Sequence, residues 1–383
     1  MLPSYPALQG AFRLFVQRLD IPWHKPQRKN LIMLATAFAR ERSLPVRRLA
    51  RAIVGPGRAQ RHVDKRIRRF LGNAKLDLEG ALTALLRLLL ARFNSEPFVP
   101  VVLDWTYLHR ERSILWSQIP YGGRAFPLLA LAFPWGEGPT SEEAIVTGKQ
   151  TAAELQLLDS LARCWPAGAP RPMILADRGF AKPELAAWLH ARGWYFLIRA
   201  RENQHLRTAN GDRLRLAQPP EGETHYYPNV FCFPARIPVH VVTATRRHKE
   251  RLVHWRLITN LPVSFLPEAT RLYRHRMQPE QTHRDCKKGH FVSGFALGHL
   301  TRMHPERLQN LLFCVGLWYA FLILLAETEA ATRAWLINRH WGLSLTTFGL
   351  DMVRFMERDL KRIIKQALDC SKLKPLWVET GDS

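Results

Sequence analysis

Two aspartates follow apolar segments of the chain in the same way. Asp104 comes at the end of the apolar run in EPFVPVVLDWT, and Asp177 comes at the end of the run in RPMILADRGF. Short β-branched apolar runs predict buried strands, so each aspartate is expected to end a strand of an α/β sheet. Two neighbouring strands would bring the two carboxylates together, and their repulsion would require a cation between them. The pair therefore indicates a metal site, with turn or helix-capping residues as the alternative.

A third acid, Glu280, lies in the highly charged segment YRHRMQPEQTHRDCKK at 273–288. If this segment is one continuous helix, in which each residue advances about 100°, four of its residues share a stripe of about 60° on one face: Tyr273, Arg276, Glu280 and Lys287. Such a stripe can present a carboxylate to a metal and cations to phosphates. A solvated face with salt bridges is the alternative. Pro279 interrupts a continuous helix unless it lies in the first turn of a new one.

These residues carry a resemblance to a known family. The four residues of the stripe reproduce the pattern Y-x2-R-x3-E-x6-K, the signature of DDE transposases of the bacterial insertion-sequence-four family. VVLDWT resembles the first acidic strand of that family, ILADRGF resembles the second, and a β-rich segment precedes Glu280 as it does in the family. The chain departs from the family pattern at three positions where apolar residues are common: Pro279, His283 and Cys286.

The resemblance implies an RNase H-like catalytic core with a β-rich insertion and helical N- and C-terminal regions. It implies that Asp104, Asp177 and Glu280 are catalytic and bind two divalent metal ions, Mg²⁺ or Mn²⁺ in its place.

The resemblance also implies contacts with DNA. Tyr273, Arg276 and Lys287 would hold the DNA backbone near the scissile phosphate. Trp255, in VHWRLITN, would stabilise a base flipped out of the duplex, although a core position is the alternative for a tryptophan at the start of an apolar strand.

The activity that the resemblance implies is cut-and-paste DNA transposition. A homodimer would cleave the transposon ends at their terminal inverted repeats and transfer them to target DNA. A catalytically impaired or domesticated transposase that only binds DNA is one alternative, and another RNase H-like nuclease, such as a junction resolvase, is a second. The presence of all three acids favours the enzyme, and the Tyr, Arg and Lys of the signature favour a transposase.

The net charge of the protein agrees with a nucleic-acid partner. Lys and Arg number 56 against 32 Asp and Glu, which gives a net charge of +24 and a pI of about 10.6. Such a surplus attracts polyanions, of which nucleic acid is the commonest, although a ribosome or a membrane surface would satisfy the same charge. Residues 1–97 alone hold 19 Lys and Arg against 6 Asp and Glu, so this segment carries more than half of the surplus.

One predicted helix in this basic segment has an apolar face and a basic face. In RHVDKRIRRFLGN, residues Val63, Ile67, Phe70 and Leu71 fall on one helical face. The remaining arc holds the cations predicted to bind DNA: Arg61, Lys65, Arg66, Arg68 and Arg69. A solvated basic face is the alternative.

Changes in charge and apolar pattern along the sequence predict five regions. These are a basic helical DNA-binding domain at 1–97, a first part of the core at 98–200, a β-rich insertion at 201–256, a second part of the core with the signature helix at 257–330, and a C-terminal helical region and tail at 331–383. The apolar run at 311–326 is shorter than the roughly 20 residues of a membrane span and predicts a buried helix. The five cysteines are widely spaced and the N-terminus lacks the pattern of a secretory signal, so we expect a cytoplasmic protein and no membrane partner. The resemblance implies a bacterial protein associated with the nucleoid.

Overall fold

The structure is a computed structural model in which the following residues are described: 5–41, 44–108, 112–134, 148–200, 206–232, 237–248, 251–287, 300, 303–330 and 360–369. Most of the predicted C-terminal region at 331–383 lies outside these residues.

Helices form the first part of the chain, as the sequence predicts. They are α1 (Tyr5–Arg18), α2 (Lys25–Glu41), α3 (Val46–Val54), α4 (Arg58–Leu71) and α5 (Leu78–Leu90). The turn between α3 and α4 passes through Gly55 and Gly57, which both have positive φ, a conformation that costs glycine little. On α4 the predicted apolar face is confirmed, because Ile67, Phe70 and Leu71 are buried and Val63 packs against them.

The centre of the protein is a mixed nine-stranded sheet among the described residues. Its strands are β1 (Phe98–Leu108), β2 (Arg112–Tyr121), β3 (Arg124–Pro134), β4 (Arg171–Ala176), β5 (Tyr195–Arg199), β6 (Leu206–Arg207), β7 (Thr224–Cys232), β8 (Ile237–His248) and β9 (Arg251–Thr259). Their order is β3-β2-β1-β4-β5-β9-β8-β7-β6. β1, β2 and β3 are antiparallel neighbours, β4 runs parallel to β1, and β5 runs parallel to β4. The mixed α/β fold predicted from the sequence is confirmed.

The β-rich segment predicted at 201–256 continues this sheet. β9 pairs antiparallel with β5, and β8 and β7 extend the sheet outward from β9. The apolar runs that end near Asp104 and Asp177 predict β1 and β4, but no such run predicts β2. β2 is a buried strand that also carries the polar Ser113, Ser117 and Gln118, so its sequence does not read as a simple apolar run.

Helices cover the sheet and share its core. They are α6 (Lys149–Cys164), α7 (Pro183–Ala191), α10 (Pro305–Ala330) and α11 (Leu360–Asp369). Phe321 of α10 lies 5.1 Å from Phe12 and 5.6 Å from Phe15 of α1, measured between ring centroids. One hydrophobic cluster joins the N-terminal helices, the sheet and α10. The core therefore crosses the boundary predicted at residue 97.

The apolar helix α10 is long and apolar enough to cross a membrane by length and composition, with a mean hydropathy of 2.0 over its most apolar window. That window is 89% buried inside the protein. A helix covered by protein in this way has no surface left for lipid, which agrees with the prediction of a buried helix.

The signature segment is not one continuous helix, so that assumption was wrong. It consists of α8 (Ala269–Arg274), a 3₁₀ turn at His275–Met277 and α9 (Gln278–Lys287). Residues in a 3₁₀ turn advance about 120° instead of about 100°, so the turn rotates Tyr273 relative to Glu280. Pro279 is the second residue of α9, where its missing N–H breaks no helix hydrogen bond.

Candidate active site

Strand register brings the two predicted aspartates side by side. The last pair between the parallel strands β1 and β4 is Val102 with Leu175, and each aspartate lies two residues further along its chain. Asp177 follows the end of β4, as predicted, and its Oδ1 accepts a hydrogen bond of 2.8 Å from the backbone N–H of Gly179. Asp104 does not end its strand, because β1 continues to Leu108 in its pairing with β2. It lies beyond the point where the parallel partner stops.

Arg276 joins the two aspartates to Glu280. Its Nη2 lies 3.6 Å from Asp104 Oδ1 and 3.6 Å from Asp177 Oδ2, and its Nη1 lies 3.3 Å from Glu280 Oε1. Because both aspartate oxygens are at the same distance from one nitrogen, they can be no further apart than twice that distance. The structure thus brings the three predicted acids together around one guanidinium group.

The surroundings of Arg276 raise its pKa. Burial works to lower its pKa, but Tyr273 and the three carboxylates raise it by more, so the net shift in the pKa of Arg276 is upward. Its Nε is buried and has no hydrogen-bond partner among the described residues. The repulsion between the carboxylates requires a cation between them. In this structure the cation is the side chain of Arg276.

The three acids fit divalent metal ions by their chemistry. Mg²⁺ prefers carboxylate oxygens, and each of the three acids directs one oxygen to the same centre. Within the part of the chain that the structure describes, however, no group of three or more His, Cys, Asp or Glu side chains is arranged closely enough to hold a metal as it stands. Arg276 lies between the acids, so metal binding requires this side chain to move.

His283 contacts the oxygen of Asp104 that does not face Arg276. The sequence did not identify His283 as a functional residue. Its Nδ1 lies 3.3 Å from Asp104 Oδ2, and its Nε2 lies 2.6 Å from Nε2 of Gln118 on β2. The imidazole ring stacks on Trp116 with centroids 5.2 Å apart and planes inclined by 13°. Trp116 is also the cross-strand neighbour of Asp104. The nearest signal in the sequence is the departure from the family pattern at His283.

Tyr273 and Trp255 lie together beside the site. Tyr273 is buried, its hydroxyl is 3.4 Å from the carbonyl oxygen of Ala176, and burial raises the pKa of Tyr273 to about 12. Trp255 is half-buried and meets the Tyr273 ring edge-on, with centroids 5.4 Å apart. The burial of Tyr273 does not favour the predicted contact with the DNA backbone and instead makes it a support for Trp255. Lys287 is the last residue of α9, and its side chain lies outside the described residues.

A buried carboxylate lies close to the aspartates. Glu154 of α6 accepts a hydrogen bond of 3.0 Å from Trp105 Nε1 and pairs with Lys182 Nζ at 2.7 Å. Burial raises the pKa of Glu154 despite the opposing effect of Lys182. Tyr107 is partly exposed nearby, and burial, followed by the charges of Asp177, Asp104 and Glu154, raises its pKa. None of these contacts was predicted, because they depend on which helix covers β1.

The basic residues predicted on α4 are all exposed. Two of them have partners: Arg68 Nε pairs with Asp64 at 2.7 Å, and Arg66 Nε donates to Asn30 Oδ1 at 2.7 Å. A groove lies on each side of the helix. One is lined by residues that include Asn30, His62, Arg66, Arg69 and Lys75, and the other by residues that include Arg47, Arg58, Arg61, Lys65 and Arg68.

Comparison with known proteins shows that part of the chain is similar to a known family. A family model described as a transposase DDE domain matches residues 144–292, a segment that contains Asp177, Arg276 and Glu280 but not Asp104. The match covers less than half of the chain and supports a DDE transposase. No curated protein matches the sequence.

Proposed function

We propose that this protein is a cut-and-paste DNA transposase of the insertion-sequence-four type. The observation that carries the proposal is the convergence of Asp104, Asp177 and Glu280 on Arg276, in a chain that is similar to a transposase DDE domain over 144–292. An RNase H-like core agrees with that similarity and with the mixed sheet β3-β2-β1-β4-β5, which is covered by helices.

The three acids would hold two divalent ions, Mg²⁺ or Mn²⁺. When bound, these ions activate a water molecule or a DNA 3′-hydroxyl and stabilise the leaving oxygen of an in-line phosphoryl transfer. The protein's own contribution is to hold one oxygen of each aspartate and to turn the other toward the shared centre. The N–H of Gly179 holds Asp177, and the imidazole of His283 holds Asp104. Glu280 joins them from the first turn of α9.

Arg276 has two roles in this proposal. Without DNA it offsets the repulsion of the three carboxylates. With DNA and metal present it would turn to the phosphate backbone, because metal ions then supply the positive charge between the acids. Lys287 would contact the backbone beside it, and Tyr273 would fix the position of Trp255, the platform for a flipped base.

The exposed cations of α4 would bind the duplex near the transposon end. A helix with cations along both flanks can contact phosphates of both strands. The partners proposed are the terminal inverted repeats, target DNA and a second copy of the chain in the end complex, in the bacterial cytoplasm at the nucleoid.

A DNA-binding protein without catalytic activity is a second candidate. It is favoured by the position of Arg276, which lies between the acids where metal ions would bind. In such a protein the guanidinium would be a permanent partner of the carboxylates and DNA would be held without being cut.

One experiment separates the two candidates. A linear duplex carrying the sequences that flank the gene is incubated with the full-length protein and Mg²⁺, and binding and cleavage are followed separately. We expect the wild type to cleave and Glu280→Gln to bind without cleaving. Glu184→Gln, a change at an exposed glutamate of α7, serves as the matched control and is expected to cleave like the wild type. A wild type that binds but never cleaves with any divalent metal would favour the second candidate.

A further inference from the structure

The two aspartates of the site are held in the same manner. Asp177 has Oδ1 on the N–H of Gly179 at 2.8 Å and Oδ2 toward Arg276 at 3.6 Å. Asp104 has Oδ2 on His283 at 3.3 Å and Oδ1 toward Arg276 at 3.6 Å. In each carboxylate, one oxygen thus contacts a neighbouring group of the protein and the other faces Arg276. For Asp104, a side chain takes the place that a backbone N–H takes for Asp177.

His283 lies between Asp104 and Gln118. The nitrogen that faces Asp104 is Nδ1, which lies 3.3 Å from Oδ2 of the carboxylate. The other nitrogen, Nε2, is hydrogen-bonded to the side-chain amide of Gln118, 2.6 Å away. Stacking on Trp116 fixes the plane of the ring. Gln118, His283 and Asp104 are therefore in contact one after another, and the last contact is with one oxygen of the acid.

The same helix connects this chain to the third acid. α9 carries both Glu280 and His283, and its Thr282 Oγ1 accepts a hydrogen bond of 2.9 Å from the N–H of Ala125 on β3. These contacts dock α9 on β2 and β3. As a result, the contact of His283 with Asp104 fixes this acid relative to the helix that supplies Glu280.

We propose that His283 is a positioning residue, which orients Asp104 so that Oδ1 is available as a metal ligand and sets its position relative to Glu280. The proposal rests on the proposed function, in which these acids bind divalent ions. His283 acts through Asp104 and itself contacts neither DNA nor metal. Partners of this kind, which orient a ligand by hydrogen bonding, typically change metal affinity by about 10- to 100-fold when they are lost.

Three variants separate positioning from packing. His283→Phe keeps an aromatic ring against Trp116 and removes both the hydrogen bond to Gln118 and the contact with Asp104. His283→Asn removes most of the ring but keeps an N–H donor near the place of Nδ1. His275→Phe is the matched control, because His275 is also buried and contacts Gln278 rather than an acid of the site.

The measurement is Mn²⁺ binding, followed by electron paramagnetic resonance. The full-length protein is bound to a pre-cleaved end duplex, which offers no scissile bond, and binding to the duplex alone is subtracted. We expect Mn²⁺ affinity to fall by about 10- to 100-fold in His283→Phe. His283→Asn is expected to recover most of that loss, and His275→Phe should bind Mn²⁺ like the wild type. Affinity for the duplex, measured by fluorescence anisotropy without metal, should be unchanged in all three.

Asp104→Asn distinguishes failure of this proposal from failure of the proposed function. If the wild type binds no more Mn²⁺ than Asp104→Asn, the acids are not metal ligands and both proposals fall. If Asp104→Asn loses Mn²⁺ but His283→Phe retains wild-type affinity, only the positioning role is overturned. A His283→Phe variant with a lower melting temperature and unchanged Mn²⁺ affinity would likewise show that the histidine serves packing alone.

Discussion

Replacing Arg276 by methionine tests whether its guanidinium holds the three acids together. The change Arg276→Met keeps much of the aliphatic volume and removes the positive charge. Loss of one partner from a buried ion pair costs about 3–5 kcal/mol, whereas an exposed pair contributes about 0–1 kcal/mol. Arg276 and Asp104 are 14% and 17% exposed, but Asp177 and Glu280 are 41% and 36% exposed, so water relieves part of the repulsion. We therefore expect a loss between these limits, about 2 kcal/mol in the free energy of unfolding.

Divalent metal should reverse this loss. A ligand at a hundred times its Kd stabilises the folded state by about 2.7 kcal/mol, which is enough to offset the missing guanidinium. In the wild type the metal must first displace Arg276, so the gain in stability without DNA should be smaller. Metal is therefore expected to stabilise Arg276→Met more than it stabilises the wild type.

The assay is urea unfolding of the free protein with and without Mg²⁺ or Mn²⁺. Arg163→Met is the matched control, because Arg163 forms a surface pair with Glu79 in which both side chains are about half exposed. That variant should be nearly as stable as the wild type and show no special response to metal, because an exposed ion pair contributes little to stability. The reasoning would be refuted by an Arg276→Met protein that is as stable as the wild type, or by equal stabilisation of both proteins by metal.

Three further predictions concern DNA and pH. Trp255→Ala should fold, bind ends and nick them, then stall before the next strand is processed, because a stacked base is worth about 1–3 kcal/mol. Its stability loss should be below the roughly 3–5 kcal/mol of a fully buried tryptophan, since Trp255 is half-buried. Changing Arg61, Lys65 and Arg68 to Gln together should reduce the salt slope of DNA binding by about 0.9 log unit for each lost phosphate contact. Burial and Arg271 lower the pKa of His275 from 6.5 to about 4. The unfolded chain therefore binds more protons below about pH 6.5, so stability should fall as the pH drops from there toward 4, and His275→Gln should flatten this dependence.

Each of these predictions has a clear contrary result. A collapsed melting temperature in Trp255→Ala would make that residue part of the core, and an unchanged salt slope would show that the basic face of α4 is only solvated. Equal acid sensitivity of the wild type and His275→Gln would remove His275 as the cause. Substitution is preferable to deleting the first 95 residues, because α1 packs against α10 and its loss would uncover Phe321.

The parts of the site that were predicted depend on local signals. Asp177 was predicted because an apolar strand and the following turn are contiguous in the sequence, and Glu280 because a spaced pattern marks it. The place of Asp104 was only partly predicted. The sequence predicts that Asp104 ends a strand, but β1 continues to Leu108 because it pairs with β2. The sequence pattern does not predict β2.

The parts that were missed depend on contacts between distant segments. His283 reaches Gln118 across 165 positions of the chain, and nothing near either residue indicates the other. Arg276 was predicted to hold the DNA backbone because the signature pattern implies that role. Its contacts with three acids follow from the 3₁₀ turn at His275–Met277 and the docking of α9, neither of which has a periodic signal.

The packing of α1 on α10 has a consequence for the biosynthesis of the protein. Phe12 and Phe15 leave the ribosome about 300 residues before Phe321, which at synthesis rates of about 5–20 residues per second is a delay of roughly 15–60 s. Contacts between such distant segments form slowly, because the intervening chain must first be ordered. During that interval α1 exposes aromatic side chains that a chaperone can bind, while the basic helix α4 has already been made. The aromatic side chains of α1 are thus covered long after they have been made.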